Sequence, residues 1–206
     1  MNGQWSYNSN NTGVQASTCT ASGSYSTAMG DGTTASGDYS TSMGRSTAAS
    51  ALYSTAMGRS TAASALYSTA MGYGTDASGY FSTAMGSSTT ASALYSTAMG
   101  DGTIASGSRS TAMGTGSIAS DYASLSIGRY NSVNSTVTAG GSAASFDTDN
   151  AALVIGNGTG SSTKSDAFVV YFNGNATLSG DLTINSDERL KDNIQPLGST
   201  LNKLHQ

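Results

Sequence analysis

The chain has 206 residues, of which only 10% are charged, and its formal net charge is −4. This weak acidic balance disfavours a nucleic-acid binder, which would show a basic surface. The single cysteine, Cys19, has no partner within the chain. No disulfide framework therefore exists, and we interpret Cys19 as a small buried thiol.

Residues 1–20 are predicted to be an N-terminal lead-in. Their start, M-N-G-Q-W-S-Y, has neither the basic n-region nor the apolar h-region of a signal peptide. The sequence contains no run of about 18 apolar residues, the length needed to cross a bilayer. We therefore predict no membrane insertion.

Residues 21–132 consist of one 14-residue unit that occurs eight times without a gap. The consensus is A-S-G/A-x-Y-S-T-A-M-G-x-G/S-T-x. The units begin at Ala21, Ala35, Ala49, Ala63, Ala77, Ala91, Ala105 and Ala119. A fixed short period predicts a stacked repeat architecture, and the recurrent glycine is hostile to a helix interior.

Each unit is predicted to form one coil of an all-β solenoid. The segment Y-S-T-A-M-G suits a short strand, whose alternate residues face opposite sides. One side carries the Tyr, Thr and Met of the unit, and the other carries Ser, Ala and Gly. The sequence leaves open which side faces the interior. A turn at G-x-G/S-T and a second short strand around A-S-x would complete the coil.

Stacking the coils about 4.8 Å apart would align equivalent residues in ladders along a rod roughly 40 Å long. The glycine ladder has no exception, which predicts a corner where only glycine fits. It consists of Gly30, Gly44, Gly58, Gly72, Gly86, Gly100, Gly114 and Gly128. A methionine ladder consists of Met29, Met43, Met57, Met71, Met85, Met99 and Met113 and is closed by Ile127.

The core of one such coil is small. Burying one Met is worth about 1.5–3 kcal/mol, whereas ordering the coil costs about 1–2 kcal/mol per backbone residue. Association of several chains along the rod would bury a second face. We therefore expect a homo-oligomer, and a trimer is the usual solution for fibres.

The unit A-S-G-x-Y-S-T-A-M-G resembles the head repeats of trimeric autotransporter adhesins of the YadA type, whose matching strand reads S-V-A-I-G. The resemblance covers residues 21–132. It implies a left-handed parallel β-roll with three chains side by side, in which Thr replaces Val and Met replaces Ile. It says little about what is bound.

Residues 133–185 are predicted to form a β-rich neck, interleaved between chains. Strands are expected at 152–155, 167–172 and 176–184, with turns at 157–158 and 173–175. Three strands this short rarely form a stable isolated sheet.

Residues 186–206 carry apolar side chains with the spacing of a heptad stripe. These are Leu190, Ile194, Leu197, Leu201 and Leu204. Because Pro196 breaks a helix interior but suits a first turn, we expect a short helix from about Pro196.

The sequence S-D-E-R-L-K-D-N-I resembles the opening of the intramolecular chaperone domain of phage tail spikes and fibres, the S74 peptidase family, whose motif is S-D-x-R-x-K. Those domains trimerise the fibre and release themselves by self-cleavage. The resemblance makes Ser186 the nucleophile, Lys191 its base, and Asn185–Ser186 the scissile bond. The alternative is a solvated helix N-terminus with Ser186 as N-cap.

The aromatic column of the repeat has two interpretations. It consists of Tyr25, Tyr39, Tyr53, Tyr67, Phe81 and Tyr95 and is broken by Arg109. The rings could form a glycan-binding strip, or they could stack on one another and shield a corner of the coil, which we favour. The threonine ladder, Thr27 to Thr111, suits an ice-binding array only if it is exposed, and burial of Met on the same strand face would argue against that.

We find no cofactor site, phosphate loop, metal cluster or hydrolytic triad in the sequence. Asp31, Asp76 and Asp101 are too irregular for a repeated calcium site. His205 is interpreted as a surface residue. No ligand-binding residue can be named.

Together these features predict the structural, receptor-facing segment of a homotrimeric phage tail fibre or adhesin-like fibre, with a self-cleaving chaperone junction. The alternatives are an ice-binding β-solenoid and a bacterial surface adhesin head. The expected location is the virion or the cell surface, and the expected partner is a host glycan or protein receptor. We expect no enzyme activity beyond single-turnover self-cleavage.

Overall fold

The computed structural model describes residues 6–7, 14–16 and 18–181. This part of the chain contains β-strands and turns and no helix. The predicted all-β solenoid is confirmed. The short helix, the heptad stripe and the start of the chaperone domain, all within 186–206, lie outside the described residues.

Every repeat contributes one long and one short strand, because the unit contains one run of alternating residues and one brief extended pair. The long strands are β4 (Thr27–Asp31), β6 (Thr41–Arg45), β8 (Thr55–Arg59), β10 (Thr69–Tyr73), β12 (Thr83–Ser87), β14 (Thr97–Asp101), β16 (Thr111–Thr115) and β18 (Leu125–Arg129). The short strands are β3 (Thr20–Ala21), β5 (Thr34–Ala35), β7 (Ala48–Ala49), β9 (Ala62–Ala63), β11 (Asp76–Ala77), β13 (Thr90–Ala91), β15 (Ile104–Ala105) and β17 (Ile118–Ala119). The other strands are β1 (Ser6–Tyr7), β2 (Val14–Gln15), β19 (Ala151–Asn157), β20 (Asp166–Tyr171) and β21 (Ala176–Leu178).

The long strands form a 13-stranded sheet together with β1, β2 and β19–β21, and the short strands form a separate 8-stranded sheet. Consecutive coils pair in parallel and in register, so that Met71 lies between Met57 and Met85. This register follows from the constant 14-residue period, since any slip would move every side chain to the wrong face.

The interior of the roll is lined by alanine, serine and threonine. Ala70 and Ala77 are fully buried, as are their equivalents along the roll. Met71 and Thr69 face outward and are half-buried. The structure thus resolves which side of the strand faces inward. We had argued against ice binding by assuming that Met is buried inside the roll, and the structure does not show that burial.

The glycine ladder marks the corner that the sequence predicts. Its members have φ between 97° and 132°, which L side chains rarely adopt. A Cβ atom on Gly72 would overlap the carbonyl oxygen of Gly86 in the next coil. Both the bend and the close approach therefore require glycine.

The long sheet continues past residue 132, where we predicted the roll to end. β19 pairs in parallel with β18, placing Leu153 beside Leu125 and Ile155 beside Ile127. β20 and β21 then add antiparallel strands. Strands are thus found where we predicted them in this region, although β21 ends at Leu178. The division into roll and neck as domains stays a prediction.

Side chains close the end of the short sheet beyond β17. The Asn131 amide accepts a hydrogen bond from the Ile118 N–H and donates one to the Ile118 carbonyl, both at 2.8 Å. The Asn134 side-chain oxygen accepts hydrogen bonds from the N–H groups of Ser120 and Asp121. These two amides therefore take the place of a further strand at an edge that would otherwise stay unpaired.

Candidate functional site

The structure does not place the residues predicted for self-cleavage. Ser186, Lys191 and the Asn185–Ser186 bond lie outside the described residues. Within the described part, no three His, Cys, Asp or Glu side chains converge to hold a metal ion. The candidate sites are therefore surfaces of the roll. No helix among the described residues has the length and apolarity to cross a membrane.

Cys19 occupies the first position of the buried threonine column of the roll. The thiol is 6% exposed and donates a hydrogen bond to the Gly30 carbonyl at 3.3 Å. It is free of any disulfide. The prediction of a small buried thiol is confirmed.

The aromatic column forms a continuous stack. Successive rings from Tyr25 to Tyr95 lie 4.9–5.1 Å apart between centroids, with interplanar angles of 6–18°. The in-register pairing of the coils produces this spacing. Because each ring covers its neighbour, the ring faces are not free to stack on a sugar, which supports the stacked interpretation. The ring edges remain in solvent, with Tyr53 43% exposed.

The stack occupies a strained backbone position. In the coil that contains Tyr67, the Ser68 N–H donates to the Ala65 carbonyl and closes a tight turn. Tyr67 sits in this turn at φ 57°, a left-handed conformation that costs a non-glycine residue about 1–2 kcal/mol. Stacked aromatic pairs are worth about 0.5–1.5 kcal/mol each, which offsets much of that cost.

Arg109 ends the stack. Its guanidinium carbon lies 5.6 Å from the ring centroid of Tyr95 and 5.8 Å from that of Tyr122. In the next coil the equivalent of Arg109 is Ala123, whose small side chain leaves room for the Tyr122 ring to cover the guanidinium. Tyr95 and Arg109 line an open surface groove of about 340 Å³. We call Tyr95, Arg109 and Tyr122 the Arg109 site.

Sequence reasoning missed this site. It noted Arg109 only as a break in the aromatic column. Tyr122 belongs to the preceding column of the unit and to a degenerate repeat, so no periodic signal pointed to it. The substitution of Ala123 for an aromatic residue was the one available hint.

The outward side of the long strands forms a second surface, which we call the Thr–Met face. Threonine and methionine occupy it from Thr27 and Met29 onward, and both residues are half-buried in each coil. β18 and β19 replace the threonine and methionine with Leu125 and Ile127 and then with Leu153 and Ile155. The face therefore becomes fully apolar toward the C-terminal end of the sheet.

The repeat unit matches a known family over this same region. The profile of the YadA head domain repeat, taken two copies at a time, matches residues 21–47, 49–75, 77–103 and 105–131. These matches span more than half of the chain. The chain belongs to the YadA head repeat family. No curated protein matches the sequence.

Membership of the YadA head family agrees with the β-solenoid fold. YadA head domains are adhesins exposed on the cell surface and are typically homotrimeric. The family match ends at residue 131. The resemblance of residues 186–206 to a phage chaperone domain therefore stays a prediction.

Proposed function

We propose that this YadA head domain is the receptor-facing segment of a homotrimeric surface fibre, built by packing the Thr–Met faces of three chains against one another. The observation that carries the proposal is the Thr–Met face itself. It runs from β4 to β19 of the long sheet and presents the methionine of every regular repeat outside the roll.

The interior of one chain supports the same conclusion. Between residues 19 and 120, a fully described stretch, no buried side chain is larger than threonine. Alanine methyl groups contribute little, since burial of one carbon group yields about 0.8 kcal/mol. Three copies around a common axis would bury the methionines, and the rotation would close the assembly.

Replacing Met71 with aspartate is expected to prevent trimer formation. The carboxylate would be placed in the apolar centre of the proposed interface without a partner, at a cost of several kcal/mol per chain. Analytical ultracentrifugation at micromolar concentration should show a trimer for the wild type and smaller species for Met71→Asp.

Ala48→Asp is the matched control for this substitution. Ala48 is half-buried and faces outward from the short sheet, away from the Thr–Met face. The column of Ala48 already carries Asp76 two coils later. This variant should remain trimeric. A stable wild-type monomer, or a trimeric Met71→Asp variant, would refute the proposed interface.

We further propose that the fibre is a phage tail fibre and that residues 186–206 begin a self-cleaving chaperone junction. The support is the S-D-x-R-x-K motif at Ser186, which lies C-terminal to the fibre-like repeats and the neck. A bacterial surface adhesin head is the alternative setting. In both settings the partner would be a glycan or protein on a host surface.

If the complete gene continues past Gln206 into a chaperone domain, the product is expected to cleave itself once before Ser186. The Ser186 hydroxyl would attack the Asn185 carbonyl carbon while Lys191 accepts its proton. The Asn185–Ser186 C–N bond would then break as the Ser186 nitrogen takes up a proton and leaves as an amine, and water would hydrolyse the resulting ester. Ser186→Ala and Lys191→Ala should each leave one uncleaved band on a denaturing gel, with assembly intact. Ser199→Ala is the control and should be cut like the wild type. Cleavage of Ser186→Ala at the same bond would disprove the assignment.

The ice-binding alternative is less well supported. The threonine ladder does face outward, as that function requires. However, methionine alternates with threonine on the same face, and at one end leucine replaces the threonine and isoleucine replaces the methionine. A thermal-hysteresis assay at high protein concentration tests this alternative, and a positive result would favour it over the fibre.

A further inference from the structure

The Arg109 site has the geometry of an anion-binding site. The guanidinium lies over the rings of Tyr95 and Tyr122, at 5.6 and 5.8 Å from their centroids. Cation–π attraction to two rings restrains the planar group, which carries a rigid fork of N–H donors. Arg109 is exposed and, together with Tyr95, lines an open surface groove of about 340 Å³ that is accessible to a ligand.

No acidic side chain in the described part of the chain forms an ion pair with Arg109. The only ion pair found there joins Arg45 to Asp31 at 3.5 Å. Arg59 and Arg129 each contact one ring, those of Tyr73 and Tyr130. Arg109 differs from Arg45 because it has no ion-pair partner, and from Arg59 and Arg129 because it contacts two rings.

Folding of the roll does not require arginine at this position. Five tyrosines and one phenylalanine occupy the same column in the six preceding coils, at φ 55–58°. Arg109 adopts the same left-handed conformation at φ 63°. A seventh aromatic ring would extend the stack and gain the same stacking energy. Ala123 keeps the same conformation in the next coil at φ 56°, so the backbone does not select arginine at this column.

We propose that the Arg109 site binds the carboxylate of an acidic sugar, which deepens the proposed receptor-facing role. A guanidinium fork matches a carboxylate through two parallel hydrogen bonds. One positive charge also balances a carboxylate better than a phosphate group, which carries about −1.5 to −2. Tyr95, which lines the groove, carries a hydroxyl that can donate hydrogen bonds to sugar hydroxyls and accept them, as the few polar groups of a ligand site do.

Titration of the intact trimer with glucuronate tests the proposal, with binding followed by NMR shifts or calorimetry. The probes for comparison are methyl glucoside, acetate and a short glutamate peptide. Glucuronate should bind saturably, more weakly at high salt, and at least about tenfold more tightly than methyl glucoside. Acetate and the peptide should bind at least several-fold more weakly than glucuronate, since neither offers sugar hydroxyls.

Arg109→Tyr is the decisive variant. It restores the residue of the preceding coils, so thermal melting should show an equal or higher Tm, and glucuronate affinity should fall at least about tenfold. Arg109→Lys keeps the charge but loses the planar fork, so its affinity should fall several-fold. Arg59→Ala removes an equivalent charge elsewhere and should bind like the wild type.

Some results would overturn the proposal. The wild type would show no saturable glucuronate binding, Arg109→Tyr would bind glucuronate as tightly as the wild type, or acetate would bind as tightly as glucuronate. Tighter binding of the glutamate peptide would assign the site to a protein receptor instead of a sugar. Ultracentrifugation tests the trimer separately, so a negative result for glucuronate binding would leave the proposed fibre unaffected.

Discussion

Gly72→Ala is expected to prevent stable folding of the roll. The new Cβ atom would overlap the Gly86 carbonyl oxygen, which is backbone and cannot rotate away. Gly72 also has φ 119°, a conformation that is strained for any L side chain. The two coils would have to separate and lose in-register hydrogen bonds. We expect a loss of about 4 kcal/mol or more in the free energy of unfolding.

Gly74→Ser is the matched control, since it changes a glycine two residues away in the same coil. Gly74 has φ 61°, and a Cβ atom there would meet nothing closer than the Ser88 hydroxyl at 3.8 Å. The neighbouring coils already carry Ser60 and Ser88 at this position, at φ 55° and 53°. The cost should be about 1–2 kcal/mol. Denaturant unfolding of both variants measures the difference, and equal stabilities would show that the glycine ladder is not a steric requirement.

Asp121→Ala is expected to loosen the attachment of residues 138–151 to the roll. The buried Asp121 carboxylate accepts hydrogen bonds from the Thr138 N–H at 2.8 Å, the Thr138 hydroxyl at 2.6 Å and the Ala151 N–H at 2.8 Å. Ala151 begins β19, so one side chain joins the last repeat both to Thr138 within the connection and to the strand that follows it. Each donor left unpaired in a buried site costs about 1–3 kcal/mol.

The expected loss for Asp121→Ala is therefore about 3–5 kcal/mol, accompanied by faster amide exchange in residues 138–157. Asp38→Ala is the control, because the exposed Asp38 accepts a hydrogen bond from the Ser24 N–H and should lose about 1 kcal/mol or less. Hydrogen-exchange mass spectrometry distinguishes the two. Unchanged protection of β19 in Asp121→Ala would show that other contacts hold the connection.

Asp121 also illustrates a kind of residue that periodicity does not reveal. It occupies a position that is Ala51, Ala65 or Ala93 in other units, and by sequence it belongs to an ordinary degenerate repeat. Asn131 and Asn134 are similar. Their amides take the place of a further strand beside β17 only because the chain turns back over this strand. None of these contacts follows a fixed spacing, and the partners of Asp121 lie 17 and 30 residues away.

The 14-residue period by itself determined the solenoid, the register of its coils and the glycine corner. Each of these depends only on identical residues lying above one another, which a constant period ensures. The ring stack follows from the same rule once the register is set. The sequence also predicted strands at 152–155 and 167–172, close to the observed strands at 151–157 and 166–171.

Only the tertiary structure decided which side of the strand is inside. Strand alternation assigns the residues of a unit to two opposite sides, but it does not tell which of the two sides is buried. The choice depends on how sharply the coil bends at Gly72 and Tyr67, both at positive φ, and this bend encloses the small Ala side and turns Met71 outward. The Arg109 site needed the structure for a related reason. Its two tyrosines come from different columns of different coils, and they meet at Arg109 only because Ala123 leaves space in the next coil.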